Sequence, residues 1–340
     1  MSPDEDDPNP ESEMPKLLNQ LHTAADQLLD PASYPGQLLA AAQSLRETLA
    51  ALAGWDEHSA DAAIETGLAE GVAISPADAA RCILDYQRTV CFLRGTLAAI
   101  EAAGARCDGR IDVLYAGCGP LAPLAVALCH RAPRARFWPV DIHTSAVDSV
   151  RRLVARAGYD DQFGEIVCAD ASEHHWPTAG QVGIVEVMQR ALEKEPQIAV
   201  TANLAPQLLP GGTLVPKCVK LAVQLLDPAV EFNVGHDESP ELAERIRIPI
   251  VPLLQLRADN AAELLAGCAV EFAFDEPPAL AVMVSTQITV YDEIVLNDYD
   301  SGLTMPWLAH DLGRSGPGKR GVIRLVTGRS PRLESEYRAL

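Results

Sequence analysis

Basic residues are scarce in this chain of 340 residues. Lys and Arg number 27 against 47 Asp and Glu, a formal net charge of −20. That balance excludes a nucleic-acid partner, because neutralising phosphates needs clustered Lys and Arg. An acidic surface instead draws in cationic ligands, or serves solubility alone. Aromatic residues are also few, at 5%, so the core is aliphatic, and 48% apolar content is ample to build one. No apolar run reaches the ~18 residues that span a bilayer. The opening Met1-Ser2-Pro3-Asp4-Glu5-Asp6-Asp7-Pro8 is acidic and proline-rich, the opposite of a signal peptide. None of the eight cysteines forms a Cys-x-x-Cys pair and most lie in apolar runs, which fits reduced thiols better than zinc or disulfides. These absences predict a cytoplasmic protein with no membrane partner.

The length suits two domains and an additional helical segment. Residues 1–14 read as a disordered acidic tail and 15–74 as an N-terminal helical segment. In that segment Leu17, Leu18, Leu21, Leu28 and Leu29 precede a break from Pro31 to Gly36, and Leu38, Leu39, Leu45, Leu49 and Leu52 follow it. The spacing predicts two amphipathic helices for packing or dimerisation. Ser75-Pro76 with Asp78 reads as a helix start, and Ile83, Val90, Leu93, Leu97 and Ile100 continue one stripe as far as Gly104. Arg81, Asp85 and Arg88 share another face of that helix.

Strand candidates at 111–116, 136–141, 164–168 and 182–187 alternate with helices near 121–131 and 144–157. This βαβα order predicts an α/β domain over 75–216 with a Rossmann-like parallel sheet. After Pro216 the runs 219–226, 247–256, 268–274, 281–295 and 321–326 read as strands, with little helix outside 239–246 and 260–266. Residues 217–340 are therefore expected to form a mainly β, barrel-like domain.

The first expected strand runs into Gly117-Cys118-Gly119-Pro120-Leu121, where a helix opens. Glycines there let backbone approach a ligand closely. The second strand ends in Asp141, placed to accept hydrogen bonds from both hydroxyls of a ribose. The third ends Cys168-Ala169-Asp170-Ala171, where Asp170 and Ala171 would meet an adenine edge. A dinucleotide enzyme uses similar parts, but Ala122 stands where its third glycine belongs and Pro120 is unusual beside a pyrophosphate. S-adenosylmethionine carries no phosphate and tolerates both departures, so it is the favoured cofactor.

Glu186 and Glu195 follow the strand at 182–187, nine residues apart, ahead of a turn expected at Pro210-Gly211-Gly212. Two carboxylates can hold a guanidinium bidentately and draw its charge toward the nitrogens they touch. The remaining nitrogen is then the better nucleophile, and no metal is needed. Spacing alone is weak evidence in so acidic a chain, and Glu193 is the alternative second member. His174-His175 lacks a third ligand at metal spacing.

In this order, Asp85-Tyr86-Gln87-Arg88-Thr89, Gly117-Cys118-Gly119-Pro120-Leu121, Asp141, the glutamate pair and Leu209 to Pro216 resemble the protein arginine methyltransferases. The Gly-x-Gly-Pro-Leu form looks most like the symmetric-dimethylating branch. The resemblance implies that Arg88 grips the methionine carboxylate of the cofactor, that Glu186 and Glu195 clamp the substrate, and that the chain is a homodimer. Tyr115 stands where the family usually has an acid, and Val185 where it has Ser. No Thr-His-Trp motif closes the pocket in the β half; Trp307 and His310 are the nearest candidates. That departure points to free L-arginine or a small guanidino metabolite as acceptor, as in a bacterial relative of specialised metabolism. Methylation of a carbon or oxygen, or of a protein arginine, and a non-enzymatic cofactor-binding role are the competing readings.

Overall fold

A computed structural model describes residues 10–226, 251–267, 269–275, 281–311, 319–327 and 332–339. Residues 1–9, the helix expected near 239–246 and Cys268 lie outside the described residues. The chain divides into two compact units. The first comprises Met1–Thr66, Ile74–Glu186 and Gln207–Val215; the second comprises Gly67–Ala73, Val187–Pro206 and Pro216–Leu340.

Helix α1 (Pro10–Leu29) begins inside the stretch expected as tail, and α2 (Pro35–Ala53) follows a short turn. Strands β1 (Thr66–Leu68) and β2 (Gly71–Ala73) then pair as a two-stranded ribbon. At α3 (Pro76–Arg81) the Ser75 hydroxyl accepts the Asp78 N–H at 3.1 Å, the cap that the sequence predicts. The single helix expected from there to Gly104 is in fact two. The backbone leaves helical geometry at Asp85 (φ −73°, ψ 82°), whose carboxylate accepts the Arg88 N–H at 3.2 Å and starts α4 (Tyr86–Gly104). A short acidic side chain competes for backbone donors in this way, which is why it favours caps over helix interiors.

The parallel sheet contains β3 (Ile111–Ala116), β4 (Ala135–Asp141), β5 (Val167–Cys168), β6 (Gly180–Val185) and β7 (Leu208–Val215), in the order β5-β4-β3-β6-β7. Helix α5 (Pro123–Val126) is much shorter than the helix expected at 121–131, while α6 (Thr144–Ala157) spans the predicted residues. The Pro-Gly-Gly expected as a turn lies within edge strand β7 as a bulge: the register with β6 jumps from Gly180 opposite Leu208 to Val182 opposite Thr213, and Gly211 has φ 81°.

Helices α1 and α2 pack on each other, α2 on α6 and α1 on α4. Leu21, Leu28, Leu45, Leu49 and Leu52 are all 0% exposed. Arg94 donates to the carbonyls of Leu28 and Asp30, and Arg152 to that of Ala53, closing both helix C-termini. Of the two roles expected for these stripes, packing within the chain covers most of their leucines, while Leu39 stays exposed.

In the second unit α7 (Gln197–Leu204) packs against α8 (Ala261–Ala266). One antiparallel sheet orders β8 (Cys218–Leu226), β9 (Val251–Leu256), β11 (Ala281–Tyr291) and β12 (Ile294–Leu296) as β12-β11-β8-β9, with β13 (Trp307–Asp311) also on β11. The run expected as one strand over 281–295 turns at Asp292, where φ is 44°. A second antiparallel sheet joins β10 (Ala269–Asp275), β14 (Lys319–Val326) and β15 (Arg332–Ala339). The α/β unit and the mainly β second half are as the sequence predicts. Among the described residues, no helix is long and apolar enough to cross a membrane.

Candidate functional site

Strand β3 is the topological switch point of the parallel sheet: β4 follows it on one side and β6 lies on the other. Ligands of open α/β sheets bind at the carboxyl ends of strands at such a point. Gly117 and Gly119, just beyond β3, adopt φ of 74° and 62°, in the left-handed region that favours glycine. Gly117 N–H donates to Val140 O at 2.9 Å, and a Cβ on Gly119 would press on the Ala79 Cβ at 3.3 Å. Pro120 follows and is buried. Ala122, at the place of the missing third glycine, is itself left-handed at φ 38°.

Asp141 ends β4 and is 8% exposed. One carboxylate oxygen accepts the Gly119 N–H at 2.8 Å; the other accepts the His143 N–H at 2.9 Å and faces His143 Nδ1 at 3.2 Å. The opposite ring nitrogen of His143 meets the Thr66 hydroxyl at 3.1 Å. Asp141 therefore ties the glycine loop to the next helix entrance, through Gly119 and His143, partners that its place at a strand end does not announce. Asp170 accepts both the N–H and the hydroxyl of Ser172, at 2.8 and 2.7 Å, and Ala171 is buried beside it. Cys118 is 1% exposed, and burial, followed by Asp141 and Glu186, pushes its thiol well up. Such an environment favours the neutral thiol over the thiolate.

Glu186 leaves the end of β6 with its N–H on Ala116 O at 3.0 Å. One carboxylate oxygen receives Arg88 Nη2 at 3.3 Å and the other receives the Tyr115 hydroxyl at 2.5 Å. The Arg88 and Glu186 side chains are 9% and 12% exposed. Burial raises the Glu186 pKa above the usual carboxylate range, opposed by the Arg88 charge and the two hydrogen bonds. The Arg88 guanidinium thus reaches across to Glu186, while its backbone N–H is taken by Asp85.

Glu195 belongs to the second unit and is 7% exposed; Lys194 is exposed and Glu193 half-buried. Its segment is held tightly. Val72 N–H donates to Lys194 O at 2.9 Å, and a Cβ on Gly71 would fall under 3.0 Å from that carbonyl. Ala191 and Leu192 both adopt positive φ, 58° and 56°, and Ala191 N–H donates to the Thr286 hydroxyl at 3.0 Å. Two successive left-handed residues with side chains cost of order 1–2 kcal/mol each, strain that persists only where surroundings impose it.

No family model matches the chain, and no curated protein matches it. Among solved structures it is similar to the Trypanosoma brucei PRMT1 enzyme–prozyme heterotetrameric complex with AdoHcy, at TM-score 0.55 and 17% identity, over 76% of this chain and 92% of that one. The two share a fold. At that identity the likeness describes architecture alone.

Other expected residues fall elsewhere. Trp307 is half-buried on β13 opposite Val284, and His310 lies on the same strand opposite Val282. His174 packs edge-on against Trp176. Among the described residues, no group of three or more His, Cys, Asp or Glu is placed to hold a metal ion.

Proposed function

We propose that this protein is an S-adenosylmethionine-dependent N-methyltransferase acting on the guanidino group of L-arginine or a small arginine-like metabolite. The observation that carries the reading is Glu186: a largely enclosed, ionisable carboxylate at the switch point of a Rossmann-like sheet, beside a glycine loop and an acid ending the next strand. The fold shared with a complex containing AdoHcy supports the cofactor.

The residues present fit that cofactor. Gly117 and Gly119 hold the left-handed backbone of a tight strand-to-helix loop, Asp141 retains acceptor capacity beyond its protein donors, and Arg88 supplies a cation. Asp170 and Ala171 remain the candidates for the adenine side. Bound S-adenosylmethionine supplies an electrophilic sulfonium methyl. The chain's own contribution is electrostatic: Glu186 and Glu195 hold the guanidinium and draw its charge toward the held nitrogens. Burial raises the basicity of Glu186, which suits it to accept the proton released on methylation. Trp307 and His310 are kept as weaker candidates for the acceptor pocket. A homodimer is also proposed, from the family resemblance; sedimentation showing only a 36.4 kDa species would contradict it.

Glu186→Gln tests the assignment because it keeps shape and removes charge. Losing one charged partner of a desolvated cation costs ~2–5 kcal/mol, so kcat/KM is expected to fall roughly thirty- to several-thousand-fold. Glu195→Gln should behave alike and Glu193→Gln should be nearly silent. Full activity in both clamp variants would favour methylation of a carbon or oxygen instead.

A further inference from the structure

We propose that Tyr115 is a positioning residue for Glu186, its hydroxyl fixing the carboxylate that the proposed guanidino chemistry requires. The inference rests on that functional reading for its role, and on geometry for its existence. Tyr115 lies opposite Ile184 in the parallel register of β3 and β6, two residues before Glu186. Its side chain is 0% exposed, so the ring is walled in and its hydroxyl has one place to go. That place is Glu186 Oε2, at 2.5 Å, while Arg88 holds Oε1 at 3.3 Å. With one donor on each oxygen the carboxylate plane is fixed, and each oxygen keeps acceptor capacity for a further ligand.

The chemistry of a phenol matters here. Within this group Arg88 is the cation paired with Glu186. A carboxylate at position 115 would compete for that cation and repel Glu186. A neutral donor stabilises the ionised glutamate without adding charge. Burial, then the Glu186 charge, pushes the Tyr115 pKa well above its usual value, so the hydroxyl donates and keeps its proton. Tyr115 therefore sets the orientation and ionisation of Glu186 without itself entering the reaction.

Tyr115→Phe removes one oxygen and preserves the ring. Loss of a hydrogen bond to a charged group should lower kcat/KM for the guanidino acceptor about ten- to a hundredfold, with cofactor affinity unchanged within about threefold. The acidic limb of the kcat/KM profile should move up by about one pH unit, because the ionised form has lost a donor. A readout free of turnover is the carbon-13 titration of the glutamate carboxyls, with the Glu186 signal assigned by its loss in Glu186→Gln. Its midpoint should rise in Tyr115→Phe and fall when Tyr115 is replaced by 3-fluorotyrosine, a stronger donor. An unchanged midpoint overturns the inference, whatever the activity; lowered melting temperature and activity with that midpoint unmoved would likewise leave Tyr115 a mere core residue. A shifted midpoint in a protein that turns over no guanidino acceptor would uphold the Tyr115–Glu186 coupling and reject the functional reading alone.

Discussion

Gly71→Ala should disable this protein without touching its cofactor loop. Gly71 has φ 151°, and an added Cβ would lie 3.2 Å from Pro196 N and 3.4 Å from Glu195 C, with Lys194 O nearer still, under 3.0 Å. Ordinary contact begins at 3.4 Å, and the obstacles are backbone atoms, which cannot rotate aside. The segment carrying Glu195 must therefore move by about 1 Å, and misplacing a substrate-positioning group by that much can cost ~100-fold in rate. The same shift stretches the bond from Val72 N–H to Lys194 O. The assay is steady-state methylation of a guanidino acceptor, with cofactor affinity measured separately by calorimetry. A fall of about a hundredfold in kcat/KM with cofactor affinity unchanged is expected. Wild-type turnover in a folded Gly71→Ala protein would show that the Glu195 segment does not position substrate.

Two further outcomes follow from the first unit. Asp141→Ala should weaken S-adenosylmethionine binding by about one to two orders of magnitude, since charge-assisted hydrogen bonds contribute ~1.5–3 kcal/mol; because Asp141 also holds the Gly119 N–H, Asp141→Asn should lose less, and unchanged calorimetric affinity in both would remove Asp141 from the cofactor site. His22 stacks on His130 at 4.4 Å and meets the Tyr159 hydroxyl at 2.6 Å, with Asp26 and Arg131 joined to the same group. Burial, then His130, lowers the His22 pKa from 6.5, against the opposing pull of Asp26. The unfolded chain then binds the proton first, so stability is present above pH 6.5 and is lost as pH falls through the lowered value. Melting temperature should drop between about pH 7 and pH 5, and less steeply in His22→Gln; parallel curves for the two proteins would contradict this.

The parallel sheet was legible because β3, β4 and β6 are short apolar runs alternating with periodic helices, and Asp141 because it ends one of them. Edge strand β7 was not, since Pro210-Gly211-Gly212 carries turn chemistry, which here bulges the strand without ending it. The break at Asp85 was masked by a stripe that runs on through it, although Asp is a cap residue. The role of Tyr115 lay hidden for a different reason. In an apolar strand a tyrosine reads as core, and its hydroxyl gains meaning only when β6 brings Glu186 alongside. Likewise nothing local in Thr66 to Ala73 announces a ribbon that holds the Glu195 segment, a contact made across more than a hundred residues.

The most direct test of the account is product identification after incubation with methyl-labelled S-adenosylmethionine and a panel of L-arginine, agmatine, canavanine and arginine peptides. The account predicts label on a guanidino nitrogen of a small acceptor, abolished by Glu186→Gln. Label on a carbon or oxygen, or no transfer to any guanidino compound despite tight cofactor binding, would contradict it.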